Sequence, residues 1–253
     1  MIFYIMLFSI VLLFFITYCI YNYLYNDPVV IFIDGNIGAG KSTLIQMMEL
    51  QFRQYYYVNE PIHMWKGIVD EHNISLFDNF YKDKKRWGYT FQNMVQMTKF
   101  YNYVILFDKI KKDSFFKRII FGMKAVVVIE RSSLMDKNAF ASLLHENNYI
   151  DDLEWYIYNI WFDRISKIIK TKNVIYVQTH PALCFDRIHN IRCRDEEKTV
   201  SIEYLNELHK RHNDILLNDK NMNVLVIDGN SDIINTISNE YNTIRRFISI
   251  LKN

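Results

Sequence analysis

The sequence predicts an α/β fold in which five parallel strands are covered on both faces by helices. Three observations carry this reading. Short β-branched runs alternate with long stretches of helical period. Four of the five runs are almost unbroken apolar or aromatic residues, as strands buried on both faces require. Three of the seven glycines in the chain fall directly after the first run. The predicted strands are Val29 to Asp34, Tyr55 to Val58, Ala125 to Ile129, Val174 to Gln178 and Val224 to Asp228. Between them, residues 42–53, 76–112, 151–170, 202–217 and 232–251 carry apolar side chains at helical spacing and are predicted helices. No repeat or composition shift divides the chain after residue 28, so one domain over 27–253 is expected behind a separate apolar segment, 1–26.

Composition narrows the function classes. With 253 residues, half of them apolar and 16% aromatic, the chain can bury a full core. Its 30 Lys and Arg against 28 Asp and Glu leave a charge of +2. That balance argues against nucleic-acid binding by phosphate neutralisation and requires any cationic site to be local. Cys19, Cys184 and Cys193 have no paired spacing, so neither a disulfide framework nor a zinc site is indicated, and a reducing compartment fits. Residues 1–20 run almost wholly apolar, and the first charged side chain is Asp27. That is enough for an apolar N-terminal helix and a membrane tether. The flanks of a secretory or mitochondrial signal are absent. The domain behind this segment is expected on the cytoplasmic side.

The clustered glycines have a chemical meaning. In Gly35-Asn36-Ile37-Gly38-Ala39-Gly40-Lys41-Ser42-Thr43 they let the backbone turn so that successive N–H groups face one anion, and the helix that follows adds its positive N-terminal end. Lys41 would reach the β and γ phosphates of ATP, and Ser42 would ligate Mg²⁺. The strand before and the helix after are the context that this phosphate loop, or P-loop, requires. A P-loop does not by itself name the acceptor. Glu60 ends the second strand run, where a carboxylate beside the cradle could take a proton from an attacking hydroxyl. Glu130-Arg131-Ser132 closes the third run and brings a second carboxylate, suited to Mg²⁺, and a guanidinium, suited to anionic oxygens, to the same sheet edge. Taken singly, Glu60 could be a solvated turn residue, and Glu130 with Arg131 a surface ion pair.

These residues resemble the deoxynucleoside kinases, the family of the deoxycytidine, deoxyguanosine and mitochondrial thymidine kinases. The resemblance runs from about Val29 to Leu217. It is carried by Gly35 to Thr43, Glu60-Pro61 with Trp65, Tyr81-Lys82-Asp83 through Trp87 to Phe91-Gln92, and Glu130-Arg131-Ser132. Further on it includes Glu154-Trp155, Trp161, Arg187 through Arg192-Cys193-Arg194 to Glu197, and Tyr204-Leu205 with Leu208-His209. It implies a P-loop kinase with an Arg-rich lid, transferring the γ-phosphate of ATP to a deoxynucleoside 5′-hydroxyl. Glu60 would be the general base, Arg131 its orienting partner, and Ser42 with Glu130 the Mg²⁺ shell. Tyr81 and Glu197 would grip the 3′-hydroxyl, and Gln92 would read the base between Trp65, Phe91 and Phe140. Arg187, Arg192 and Arg194 would form the lid over the triphosphate, although Asp195, Glu196 and Glu197 could instead pair with them on a plain basic face.

Selectivity should turn on Lys99 and Asp136 at the base edge. By resemblance, members preferring deoxycytidine or purine deoxynucleosides carry Arg and Asp there, and thymidine-accepting members Met and Ala. Lys lacks the planar fork of Arg, and Val95 matches the thymidine-accepting members. Deoxycytidine is therefore the expected substrate, ahead of purine deoxynucleosides, with thymidine still open. Related kinases are commonly dimers formed through helices, so a homodimer is an open expectation. The rivals are a nucleoside monophosphate kinase resembling thymidylate kinase, and a membrane-tethered nucleotide-binding protein without catalysis.

Overall fold

The computed structural model describes the backbone of residues 2–25, 27–113, 123–231 and 233–252, and the side chains of these apart from 2, 3, 5–7, 21–25, 113, 195 and 233–239. The apolar N-terminal segment is helix α1, Ile2–Tyr25. Strand β1, Val29–Gly35, then leads through the glycine loop into α2, Lys41–Gln51, and β2, Tyr56–Val58. Three helices follow: α3, Ile62–Gly67; α4, Leu76–Lys82; and α5, Lys84–Asp113. Strand β3, Val126–Glu130, is followed by α6, which begins as Ser133–Met135, widens into a π turn over Asp136–Ala141, and ends as Ser142–Glu146. Helix α7, Asp152–Ile168, precedes β4, Asn173–Gln178. Helix α8, Pro181–Asp186, runs into a second π turn, Arg187–Arg192, and then a 3₁₀ turn, Asp195–Thr199. Helix α9, Ile202–Leu216, strand β5, Asn223–Asp228, and α10, Ile233–Lys252, complete the chain.

All five strands are parallel, in the order β2-β3-β1-β4-β5. The order follows from hydrophobicity. Strands β1, β3 and β4 are nearly all buried and take the centre, whereas β2 and β5 are partly exposed and take the edges. Because β1 lies between β3 and β4, its carboxyl end sits where the chain crosses to either side. Parallel sheets open their ligand crevice at such a point. The main core joins these strands to Leu44, Ile45 and Met48 of α2 and Leu205 and Leu208 of α9. A second, aromatic cluster joins Trp65 of α3 and Phe77 and Phe80 of α4 to Phe91 and Val95 of α5.

The predicted strands fall within a residue of those observed. The predicted helix over 76–112 is two helices, broken at Asp83. Asp83 leaves the helical region at φ −143°, and its carboxylate accepts from Arg86 N at 3.1 Å, opening α5 as a cap. The described side chains of α1 from Phe8 to Ile20 are exposed apart from the half-buried Cys19. Among the described residues no helix is long and apolar enough to cross a membrane.

Candidate active site

Residues from α2 to α6, from α9, from the end of β3 and from the turns after α8 meet in one cleft of about 640 Å³. It opens at the carboxyl ends of β1, β2 and β3 and has a size suited to a small ligand. Its floor is the phosphate loop. Gly38 adopts φ 75°, and a Cβ there would stand 2.7 Å from the Cys184 carbonyl oxygen, so only glycine lets the loop pass so close to α8. Asn36 holds the loop from behind: its side-chain amide donates to Leu205 O at 2.8 Å, and its Oδ1 accepts from Ile37 N at 2.9 Å. Lys41 is buried and curls over the loop, donating to Asn36 O at 2.8 Å and Gly35 O at 3.1 Å. Burial, with repulsion from Arg131, pulls its ammonium down to about 8.

Beside the cradle, Ser42 Oγ donates to Glu130 Oε1 at 2.6 Å, while Glu130 Oε2 accepts from Glu60 N at 3.2 Å. The hydroxyl and carboxylate predicted to share a metal therefore touch. Among the described residues no three His, Cys, Asp or Glu side chains cluster to hold a metal. A site with two protein oxygens suits Mg²⁺, which fills its remaining positions with phosphate and water.

Arg131 follows β3 in the left-handed region at φ 58°, a conformation that costs a non-glycine residue about 1–3 kcal/mol. The turn is held by its own N–H, which donates to Ile33 O at 2.9 Å, and by Ser132 N, which donates to the buried Asp34 Oδ1 at 3.0 Å. Its guanidinium lies 4.3 Å from the Phe140 ring centroid and places Nη1 3.1 Å from Glu60 Oε1. That ion pair is close but not aligned as a hydrogen bond, and Glu60 Oε1 has no hydrogen-bond partner among the described residues. Burial pushes the Glu60 carboxyl up, but Arg131, Lys99, Lys41 and Arg192 together outweigh it and hold it below the ordinary carboxylate range. Glu60 is thus held as a carboxylate beside Arg131 on the cleft wall.

Trp65, Tyr81, Phe91, Gln92, Asp136 and Phe140 also line the cleft. Trp65 is fixed by donation from Nε1 to Thr98 Oγ1 at 3.0 Å and meets Phe91 edge-on, centroids 5.4 Å apart. Arg187, Arg192, Arg194 and Glu197 complete the lining. Arg192 pairs with Glu197, and Arg194 Nη1 lies 3.5 Å from its other oxygen. Two expectations that had competed therefore coexist: Arg192 and Arg194 line the cleft and also pair with an acidic neighbour, whereas Arg187 donates to Ala39 O and Gly229 O. Glu196 pairs instead with Lys66 of α3, and the Asp195 side chain lies outside the described residues.

Some predicted site residues do not reach the cleft surface. Gly35, Asn36 and Ala39 shape the loop from behind. Lys99, expected at the base edge, stands behind Asp136, with its Nζ 2.5 Å from Asp136 Oδ2 and only 3% of its side chain exposed. Ile62, Phe77, Phe80, Ile191 and Tyr204 line the cleft without having been predicted there. Phe80 stacks on Phe91, centroids 4.4 Å apart. The crowding of Phe77, Phe80 and Tyr81 on one short helix was the available signal.

Comparison with known proteins agrees with this geometry. A family model described as deoxynucleoside kinase matches residues 31–252. A probable deoxycytidine kinase of fowlpox virus is 39% identical over 228 residues, covering 87% of this chain and 88% of the viral protein. The mitochondrial deoxyguanosine kinase of Xenopus laevis is 29% identical, covering 80% of this chain and 82% of its own. Human deoxycytidine kinase is 27% identical, covering 87% and 90%. With a family model matching residues 31–252 and a relative this similar over most of both lengths, the chain belongs to the deoxynucleoside kinase family.

Proposed function

We propose that this chain transfers the γ-phosphoryl group of ATP to the 5′-hydroxyl of a deoxynucleoside, preferring deoxycytidine, with purine deoxynucleosides behind it. One observation carries the reading: Glu60, held as a carboxylate by Arg131, lines one cleft with the phosphate loop. In the reaction the 5′-oxygen forms a bond to the γ-phosphorus as the bond to the β–γ bridging oxygen breaks, releasing ADP. The hydroxyl proton passes to Glu60. Lys41, Arg131, Arg192 and Arg194 offset the charge that spreads over the phosphoryl oxygens. Mg²⁺ would be held by Ser42 and Glu130 and would neutralise phosphate charge when bound. Tyr81 and Glu197 would hold the 3′-hydroxyl, Gln92 and Asp136 the base edge, and Trp65, Phe91 and Phe140 its faces.

A monophosphate acceptor fits less well, because its charge would meet the Glu60 carboxylate inside the cleft. A non-catalytic role leaves the strained Arg131 turn without a purpose. The test is ATP consumption by the full chain offered deoxycytidine, deoxycytidine monophosphate or no acceptor. Turnover with the nucleoside is expected, and turnover only with the monophosphate would overturn the proposal.

Two features of the outer surface extend the reading, with residues 27–253 as the kinase domain. Helices α5 and α7 pack together, and each carries an exposed apolar stripe, Met97, Tyr101, Val104 and Ile105 on one and Leu153, Tyr156, Ile160 and Trp161 on the other. Paired with a second copy through a two-fold axis, these stripes would form a four-helix interface. A membrane tether for residues 1–20, with the kinase domain on the cytoplasmic side, rests only on the exposed apolar side chains of α1 from Phe8 to Tyr18, interrupted by Ser9 and Thr17, because no described helix is long and apolar enough to cross a membrane.

A further inference from the structure

Arg211, on α9, lies outside the cleft, yet its guanidinium donates to four residues. Nε donates to Glu207 Oε1 at 3.0 Å, and Nη1 to Ser142 Oγ at 2.8 Å, Glu146 Oε1 at 3.1 Å and Asn138 O at 3.4 Å. Nη2 donates to Glu146 Oε2. Glu146 and Glu207 are about half exposed, with side-chain exposures of 55% and 42%, so their ion pairs contribute little by themselves. The distinctive contacts are Asn138 O, inside the π turn of α6, and Ser142 Oγ, at its end. Ser142 Oγ in turn donates to Asn138 O at 2.6 Å. A π turn, whose hydrogen bonds reach one residue further than those of an α-helix, is rare and seldom extends past a single turn.

The π turn carries Asp136, the carboxylate at the base edge, and Phe140, which faces the Arg131 guanidinium. Helix α9 also carries Tyr204 on the cleft wall and the Leu205 carbonyl that anchors Asn36 of the phosphate loop. We propose that Arg211 is a positioning residue that pins the π turn of α6 to α9 and so fixes where Asp136 meets the base. Its role is to set base selectivity through Asp136 without touching the substrate. The proposal rests on the deoxynucleoside reading of the cleft. Lysine cannot replace it, because a single ammonium lacks the planar fork that meets Asn138 O, Ser142 and both carboxylates together.

The experiment compares kcat/KM for deoxycytidine and thymidine, and KM for ATP, in the full-length wild type, Arg211→Lys and Arg211→Gln. Misplacing a group by about 1 Å can cost up to ~10² in rate, so the ratio of the two efficiencies should fall about tenfold in both variants. KM for ATP should stay within about twofold. An unchanged ratio, full rescue by lysine, or an equal loss on both nucleosides and ATP would overturn the proposal. So would a wild type with no preference between the two nucleosides. If the Gln variant does not fold, Ser142→Ala is read for the same ratio. A wild type that phosphorylates no deoxynucleoside defeats the functional reading itself, whereas a selective wild type with equally selective variants defeats only the clamp.

Discussion

At the scale of single residues, the proposed reaction uses two groups whose ionisation is set by their surroundings. Glu60 is buried, which alone would favour its neutral form, but four cations reverse that preference. It stays charged at neutral pH and should add no limb to the rate profile above the ordinary carboxylate range. Lys41 is the opposite case, with its ammonium held at about 8 by burial and by Arg131. Its charge is complete below that value and is lost as pH rises through it. The kcat/KM for ATP, which reports the free enzyme, should therefore fall above about pH 8. The limb for kcat should lie higher, because bound triphosphate favours the ammonium. Steady-state rates from pH 6 to 10 check both, and a flat ATP profile to pH 10 would remove Lys41 from the account.

At the scale of elements, the buried Lys99–Asp136 pair ties α5 to the π turn of α6. Removing one partner leaves a buried charge uncompensated, a loss of about 3–5 kcal/mol. Lys99→Met should therefore lower thermal stability sharply, and adding Asp136→Ala should recover much of it while shifting preference toward thymidine. Melting temperatures and the two nucleoside efficiencies read the two effects separately. The same elements show what could be read from the chain alone. Strands were legible because β1, β3 and β4 are buried on both faces and so are written as unbroken apolar runs. Helix α6 and the π turn after α8 were not, since a π turn shifts side chains off the 3.6-residue period. The break at Asp83 was hidden because apolar spacing continues on either side of it. Candidate site residues were legible where strand ends fix them, as with Glu60 and Glu130. Phe80 and Tyr204 were not, because in a chain with 18 Phe and 18 Tyr core packing is the default reading of any one aromatic. The position of Lys99 behind Asp136 required the packing of α5 on α6, which no local pattern encodes.

At the scale of the whole molecule, the parallel sheet brings stretches 70 residues apart in sequence, Glu60 and Glu130, into contact. The outer faces of α5 and α7 remain apolar. Sedimentation equilibrium should find a dimer, and Tyr101→Glu with Trp161→Glu should yield monomers; an unaltered mass would reject the four-helix interface. Flotation with vesicles should follow residues 1–26, and equal flotation of a chain lacking them would reject the tether. The central claim is that Glu60 takes the proton of a sugar hydroxyl while the phosphate loop holds ATP. It is tested most directly by single-turnover transfer of labelled γ-phosphate to deoxycytidine in the wild type and in Glu60→Gln, with ATP affinity measured in parallel. A rate lowered by about 10² or more at unchanged ATP affinity is expected. Transfer at a near-normal rate by the Gln variant would contradict it.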